Sequence, residues 1–285
     1  MKDSKTKRSI AIGEGKAVIQ TPRILVEKIE STVFSAIIEK ESTDSEPDFT
    51  INIKNGQYSL NQSDSSRIVV ENQPELLFEL EWRIVDLLVN ANKNFLQLHS
   101  AAMDYEKQGY LFIGEGGSGK TSLSILLGKN GFKFISDEIG ILEINKYQLQ
   151  PFPRNLIIKP YLTKYMDIEE ELTIPIDGQK DKVEAYFVSP EKYTTIEKSN
   201  KISVDKIFFL SAKDDQTCKI NKIGDVEAVN RLLYFSFNKS FHSDKMLSIV
   251  SGLVEEAETY KLELSNPLGK NHEQQSQLVE KIKQL

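Results

Sequence analysis

One segment restricts both the local fold of this chain and the ligands that it can bind. It matches Gly-x-x-x-x-Gly-Lys-[Ser/Thr] in full and consists of Gly114, Glu115, Gly116, Gly117, Ser118, Gly119, Lys120 and Thr121. An apolar run at 110–113 predicts a buried strand before it, and apolar residues at helical spacing predict a helix after it. A strand, a glycine-rich turn and a helix start direct backbone N–H groups to one spot, which favours binding of phosphate groups. Glycines suit this turn because no Cβ then separates the backbone from the phosphates.

The same segment predicts which atoms hold a nucleoside triphosphate. Lys120 is expected to reach the β- and γ-phosphates, and the Thr121 hydroxyl is expected to hold Mg²⁺. The predicted nucleotide-binding residues are the eight of the segment together with Ser122, at the start of the helix. The predicted cofactors are therefore ATP and Mg²⁺.

Two adjacent carboxylates, Asp137 and Glu138, follow the next strand-like run, at 132–135. Phosphoryl transfer needs carboxylates near the phosphates, both for Mg²⁺ and for accepting a proton. Their side chains would point to opposite faces of a continued strand, so we expect different roles for them. His99 lies in a run at 95–103 that is predicted to form a hairpin with the strand before the glycine segment. A core histidine and a simple turn are the alternative interpretations of these residues.

This arrangement resembles the catalytic domain of bacterial HPr kinase/phosphorylase. His99 precedes Lys120 by 21 residues and Asp137 follows it by 17, which is similar to the spacing in that family. The segments 98–102 (Leu-His-Ser-Ala-Ala) and 151–154 (Pro-Phe-Pro-Arg) are more similar still to the shorter HPr-kinase-like proteins. Some of those belong to biosynthetic clusters for ribosomal peptides, including lasso peptides, and phosphorylate a serine there.

The resemblance, whose specific part covers about residues 95–160, implies both a fold and a set of roles. The implied fold is α/β, a P-loop core of the phosphoenolpyruvate-carboxykinase-like type with mixed sheets. Asp137 would receive the proton of the acceptor hydroxyl, with His99 beside it. The implied metal ligands are Thr121, Asp137 and Glu138.

Arg154 is a further candidate for the active site. Only two arginines, Arg154 and Arg231, follow Lys120 in the chain, so few can stabilise charge on a transferred phosphoryl group. An ordinary surface arginine is the alternative.

Together these features predict a phosphotransferase, specifically an ATP- and Mg²⁺-dependent serine kinase. Its predicted partners are a nucleoside triphosphate and a peptide or small-protein acceptor, such as a ribosomal-peptide precursor. The acceptor follows from the resemblance alone. Two other functions stay open, namely a kinase for a small-molecule hydroxyl and a nucleotide-sensing regulatory protein with little turnover. Homo-oligomer formation also stays open.

Two domains are predicted, a small β-rich module at 1–92 that ends in a helix and the kinase domain at 93–285. Asn55 and Gly56 predict a tight hairpin, and the helix of the module is expected from Pro74 to about residue 90. The candidate strands of the module are 17–20, 33–39, 49–53, 58–61 and 68–71.

Composition excludes several classes of partner. The net charge of −6 argues against a broad surface for nucleic acid. The single cysteine, Cys218, excludes an internal disulfide and a multi-cysteine zinc site. No apolar run approaches the length of a membrane span, and no apolar region follows the basic N-terminus as in a secretory signal. We therefore expect a cytoplasmic protein that binds neither nucleic acid nor membranes.

Overall fold

We describe the fold from a computed structural model of the chain. The structure describes all residues except 1–4, 42–43, 167–172, 175–184, 199, 214–216, 266–267 and 269–271. For residues 164–166 and 173–174 it describes the backbone and not the side chains. The chain divides into two compact units. The first consists of Met1–Asn92, Arg154–Pro160 and Glu169–Ser189, and the second of Lys93–Pro153, Tyr161–Ile168 and Pro190–Leu285.

The described residues form a mixed α/β structure with seven α-helices and eighteen strands. The helices are α1 (Val26–Thr32), α2 (Gln73–Ala91), α3 (Lys120–Lys129), α4 (Pro160–Met166), α5 (Asp225–Phe235), α6 (Met246–Glu256) and α7 (His272–Gln284). The strands are β1 (Lys5–Ile12), β2 (Gly15–Pro22), β3 (Glu39–Lys40), β4 (Phe49–Lys54), β5 (Gln57–Gln62), β6 (Arg67–Val70), β7 (Leu96–Leu98), β8 (Ser100–Tyr105), β9 (Gln108–Ile113), β10 (Lys133–Ser136), β11 (Gly140–Glu143), β12 (Gln148–Gln150), β13 (Leu156–Ile158), β14 (Thr173–Ile174), β15 (Ala185–Val188), β16 (Ile202–Lys213), β17 (Lys219–Lys222) and β18 (Glu258–Ser265). Within these ranges, no helix combines the length and the apolar character needed to cross a bilayer.

The first unit contains a six-stranded sheet in the order β3-β1-β2-β4-β5-β6. The predicted hairpin at Asn55 and Gly56 is confirmed, because β4 and β5 pair antiparallel and both turn residues have positive φ. The predicted helix is also confirmed as α2, which begins at the cap residue Asn72, whose side chain accepts a hydrogen bond from the Glu75 N–H.

The predicted strand at 33–39 is wrong. The chain turns at Phe34, which has a φ of +48°, and the N–H groups of residues 37 and 38 both bond to its carbonyl. Asn155 holds the turn from a remote part of the sequence, since its Oδ1 accepts hydrogen bonds from the backbone and the hydroxyl of Ser35. Local β propensity is therefore overridden by a partner 120 residues away.

Two later segments of the chain belong to the first unit, whereas the prediction placed every residue after 92 in one domain. In these segments β13 and β14 both pair with β15 to form a small antiparallel sheet. The Arg154 guanidinium, just before β13, lies 2.9 Å from the carboxylate of Glu81 on α2. Both side chains are buried, and burial raises the pKa of Glu81 while the guanidinium opposes that change.

The second unit contains a mixed sheet of nine strands. Seven follow the order β10-β8-β9-β16-β12-β11-β7, and β18 joins β16 to β17. The central strands β9, β16 and β18 are parallel, whereas β8, β10, β11 and β12 pair antiparallel with their neighbours. The predicted hairpin before the glycine segment is confirmed, since β8 and β9 are antiparallel and joined at residues 106–107.

Side-chain alternation along the central strands separates two packed faces. Leu111 and Ile113 on β9, with Ile207 and Phe209 on β16, lie in the core cluster that also contains the apolar faces of α5 and α6. The opposite face carries a row of stacked rings contributed by Tyr110, Phe112, Phe208 and Tyr260. The parallel strand β9 is thus fixed by packing on both faces, and it leads directly into the glycine segment.

Glu258, at the start of β18, carries a local ion network. The Tyr260 hydroxyl donates to its carboxylate at 2.6 Å, and the ammonium groups of Lys206 and Lys222 lie at 2.9 and 3.2 Å. These contacts lower the pKa of Glu258 from 4.5 to about 2, the hydroxyl contributing most.

Candidate active site

The glycine loop (residues 114–119) joins β9 to α3 in the second unit. Gly117 and Gly119 have φ values of +82° and +99°, which favour glycine. A Cβ on Gly114 would lie 2.5 Å from the Ser118 Oγ, so this position is also restricted by space. By contrast, among the described residues other than the two adjoining ones, no atom lies within 4 Å of a Cβ built on Gly116 or Gly117. The loop is therefore closely packed where it leaves the sheet and open at its tip.

Lys120, the first residue of α3, is turned back into this loop. Its side chain is only 2% exposed. The ammonium group lies 2.9 Å from the Gly114 carbonyl oxygen and 3.1 Å from that of Glu115. Thr121 and Ser122 follow on the first turn, Ser122 being buried. The helix start thus brings a cation and the backbone of the loop together.

His99 and Glu138 face each other across an opening in the sheet. Gly140 pairs with Leu98 on one side, and Ser136 pairs with Ala102 on the other, so residues 99–101 lie opposite residues 137–139 without pairing to them. His99 Nε2 lies 2.6 Å from Glu138 Oε2 across this opening. The predicted strand at 95–103 is therefore two strands, β7 and β8, that end and begin at the histidine. Neither hydrophobic pattern nor local propensity contains a signal for this break.

The backbone of Glu138 has a φ of +66°, an uncommon conformation for a residue with a long side chain. Such a conformation costs on the order of 1–3 kcal/mol and persists only where the surrounding structure imposes it. Here the paired strands on both sides of the opening impose it. The strain directs the carboxylate toward His99 and Lys120 rather than along the strand.

His99, Lys120 and Glu138 form a charged cluster whose distances restrict how its protons can be shared. The Lys120 Nζ lies 3.0 Å from His99 Nε2 and 3.4 Å from Glu138 Oε2. The ammonium has three donors, and the two loop carbonyls take two of them. A carboxylate 2.6 Å from Nε2 is satisfied when Nε2 carries the ring proton and donates it. In that tautomer the third proton of the Lys120 ammonium is available to the Glu138 carboxylate at 3.4 Å and not to His99 Nε2.

Thr121 and Asp137 form a second pair beside this cluster. The Thr121 hydroxyl donates to Asp137 Oδ2 at 2.7 Å. Asp137 is 2% exposed, whereas the side chain of Glu138 is 38% exposed. The two neighbouring carboxylates thus have different partners and different access to solvent.

The residues present fit a nucleotide with Mg²⁺, judged by the chemistry of their donors. Among the described residues there is no group of three His, Cys, Asp or Glu that could hold a metal ion by itself. Mg²⁺, however, keeps several waters and is bound through one or two carboxylates plus substrate phosphates. A threonine hydroxyl and one carboxylate beside an open glycine loop are consistent with that mode. Within the described part of the chain, the buried Ser118 Oγ has no hydrogen-bond partner, so the loop also has donor capacity to spare.

Two aromatic side chains that the sequence did not identify line the histidine. The rings of Phe235 and Phe237 lie 6.5 and 5.6 Å from the ring of His99. The backbone N–H of His99 also donates to the Phe235 carbonyl at 2.9 Å. The end of α5 is therefore hydrogen-bonded to the residue that separates β7 from β8. An aromatic run at 234–237 is visible in the sequence, but its position beside His99 depends on the tertiary fold.

Arg154 is the one predicted site residue that belongs to the first unit. There its guanidinium pairs with Glu81, as described above. Its predicted catalytic role stays a prediction. The other predicted residues, His99, the glycine segment with Ser122, Asp137 and Glu138, all belong to the second unit.

Comparison with known proteins adds little to this geometry. The sequence matches no model of a known protein family and no curated protein. Among solved structures it is similar to the Hpr(Ser) kinase/phosphatase from Coxiella burnetii, with 14% sequence identity and a TM-score of 0.32. The alignment covers 66% of this chain and 94% of that one.

Proposed function

We propose that this chain is an ATP- and Mg²⁺-dependent kinase that phosphorylates a serine-type hydroxyl of a peptide or small protein. One observation carries the proposal, namely that Lys120 lies 3.0 Å from His99 and 3.4 Å from Glu138 at the glycine loop. The lysine of such a loop reaches the β- and γ-phosphates of a nucleotide. An imidazole and a carboxylate within reach of the same ammonium would therefore stand where a γ-phosphate is transferred.

The contacts support different roles for the two carboxylates from those implied by the resemblance. Asp137 is buried and accepts the Thr121 hydroxyl, which favours it as a metal ligand together with that threonine. Bound Mg²⁺ would neutralise charge on the phosphates. Glu138 is partly exposed and hydrogen-bonded to His99, which favours it as the base. We therefore assign proton transfer to Glu138 and metal binding to Asp137.

In the proposed reaction, the hydroxyl of the acceptor displaces the nucleoside diphosphate from the γ-phosphorus of ATP. The acceptor oxygen forms a bond to the γ-phosphorus, the bond from that phosphorus to the bridging oxygen breaks, and the nucleoside diphosphate keeps the electron pair. Glu138 takes the proton of the hydroxyl, and the ring Nε2–H of His99 orients the Glu138 carboxylate. Lys120 and the backbone N–H groups of the loop stabilise charge on the transferred group.

The exposure of the site supports a peptide acceptor over a small molecule. In the part of the chain that the structure describes, the tip of the glycine loop is open, and the side chain of Glu138 is 38% exposed. A kinase for a small metabolite needs a closed pocket that excludes water from the phosphate. A peptide or a protein loop can cover an open site itself.

Transfer from labelled ATP tests the proposal directly. The purified protein is incubated with Mg²⁺, γ-³²P-ATP and pools of peptides that differ only in having serine, threonine, tyrosine or alanine at one position. We expect labelled serine peptides and an equal amount of ADP, and a Lys120→Ala variant should give neither. Nucleotide binding without turnover on any pool would instead identify a sensor. Label transferred only to small molecules would identify a metabolite kinase.

A further inference from the structure

Two cavities follow helix α5 and meet along it. The first, of about 720 Å³, lies between the glycine loop and α5 and is lined by Glu115, Asn230, Tyr234 and Phe235, among others. The second, of about 410 Å³, lies between α5 and α6 and is lined by Asp225, Leu247, Val254 and Glu255, among others. Val226 and Asn230, on the exposed side of α5, line both cavities, so the two depressions meet across the helix, and we call them together the α5 groove.

One end of the α5 groove lies next to the charged cluster of His99, Lys120 and Glu138. Glu115 lines it, and the carbonyl of that residue accepts from the Lys120 ammonium. Phe235 also lines it, and its ring lies 6.5 Å from the ring of His99. The Tyr234 hydroxyl donates to the Glu115 carboxylate at 3.3 Å across this end. Because Lys120 and His99 mark the γ-phosphate end of a nucleotide, a molecule in the groove would meet the phosphate that is transferred.

The lining of the groove combines exposed apolar side chains with acidic ones. Val226, Tyr234 and Leu247 are 78, 65 and 61% exposed, and a cluster of exposed apolar side chains in a concave surface is typical of a binding site. Asp225 and Glu255 add exposed carboxylates at the far end. The one arginine in the lining, Arg231, is paired with Glu227 at 2.7 Å, which leaves the groove acidic overall.

We propose that the α5 groove binds the part of the acceptor peptide that flanks the phosphorylated hydroxyl, in an extended conformation. This inference depends on the proposed kinase function and specifies its substrate. From Tyr234 to Val226 the helix rises by about 12 Å, since each residue contributes roughly 1.5 Å. An extended peptide covers that length with about four residues at roughly 3.3 Å each. Because the serine would react at the charged cluster beyond Tyr234, the acceptor should carry a Lys or Arg at least four residues from the serine, opposite Asp225 and Glu255, with an apolar residue between them.

An oriented peptide library tests this inference. Each peptide has a fixed serine and random residues at the five positions on either side, and the phosphorylated fraction is sequenced. We expect Lys or Arg to be enriched four or five positions from the serine on one side, and apolar residues to be enriched nearer to it. In the Asp225→Lys/Glu255→Lys variant, kcat/KM for basic peptides should fall by roughly three- to tenfold, and acidic peptides should be favoured instead.

A matched control is the Glu256→Lys variant, which changes an exposed charge at the end of α6 beside the groove rather than in its lining. It should keep the library preference and the KM for ATP of the parent protein. Serine phosphorylation without any preference at these positions would overturn the groove assignment and leave the kinase function intact. A raised KM for ATP with unchanged peptide preference in the double variant would place the nucleotide base in the groove. Absence of peptide phosphorylation by the parent protein would refute both proposals.

Discussion

Replacing Glu138 by Gln removes the proposed base while keeping the shape of the site. The amide oxygen of Gln can still accept a hydrogen bond from the ring Nε2–H of His99, so the imidazole keeps its orientation. Loss of a positioned base lowers the rate of transfer by about 10²–10⁴-fold, which corresponds to roughly 3–5 kcal/mol of activation free energy. We expect kcat to fall by that factor, with the KM for ATP changed by less than about threefold.

The effect of the same change on stability should be much smaller. At 3.4 Å, opposite charges attract by about 5 kcal/mol at an effective dielectric constant of 20, and by about 1 kcal/mol in water. Because the side chain of Glu138 is 38% exposed, solvent screening places its pairing with Lys120 near the lower value. The free energy of unfolding should thus fall by about 1 kcal/mol or less. The loss of rate would then be chemical, since it exceeds any loss of folded protein.

The measurement is single-turnover phosphoryl transfer at saturating ATP, together with urea denaturation of the same preparations. Asp137→Asn is the matched comparison, since it removes the neighbouring carboxylate. We expect it to raise the Mg²⁺ concentration needed for half-maximal rate and to recover partly when Mg²⁺ is increased. Glu138→Gln should not recover. A Glu138→Gln protein that transfers phosphate at the parent rate, or an Asp137→Asn protein insensitive to Mg²⁺, would refute the assignment of roles.

Three further predictions, each made from one or two variants, test the structure itself. In nucleotide-free protein, the Gly119→Ala variant should lower the free energy of unfolding by roughly 1–3 kcal/mol, because the φ of +99° at this position disfavours a Cβ. The Gly116→Ala variant should change the thermal midpoint of unfolding little, because the described residues leave open space around this position. Equal shifts in the thermal midpoints of the two variants would contradict this prediction. Arg154→Met should cost about 3–5 kcal/mol by leaving Glu81 buried without its cation, and adding Glu81→Leu should restore most of that stability in urea denaturation. If that double variant regains stability but not kinase activity, Arg154 has the catalytic role predicted from the sequence. Because the pKa of Glu258 is lowered from 4.5 to about 2, its carboxylate stabilises the fold above pH 4.5 and this contribution is lost as the pH falls toward 2. The Glu258→Gln variant should therefore lose more of its urea midpoint at pH 7 than at pH 3, and equal losses would contradict the shift.

Local sequence patterns were sufficient to predict the elements whose conformation is fixed by residues close to one another in the chain. The hairpin at Asn55 and Gly56 follows from two residues that tolerate positive φ, and α2 follows from its cap and its apolar stripe. The strand predicted at 33–39 failed because Ser35 bonds to Asn155 and the N–H groups of residues 37 and 38 bond to the Phe34 carbonyl, so that strand pairing begins only at Glu39. A partner so distant in sequence leaves no periodic signal in the segment itself.

The spacing of the glycine segment predicted a turn that joins a strand to a helix, and β9 and α3 are joined by that turn, because glycine spacing is a local property of the chain. The sequence also predicted that His99, Asp137 and Glu138 belong to one site. The contacts of these three residues could not be predicted in the same way, since they depend on the register of β7 and β8 against β10 and β11. That register opens the sheet for three residues on each side and turns Glu138, rather than Asp137, toward the histidine. Side-chain direction at such an opening is set by strand pairing from remote parts of the chain, and no local pattern encodes it.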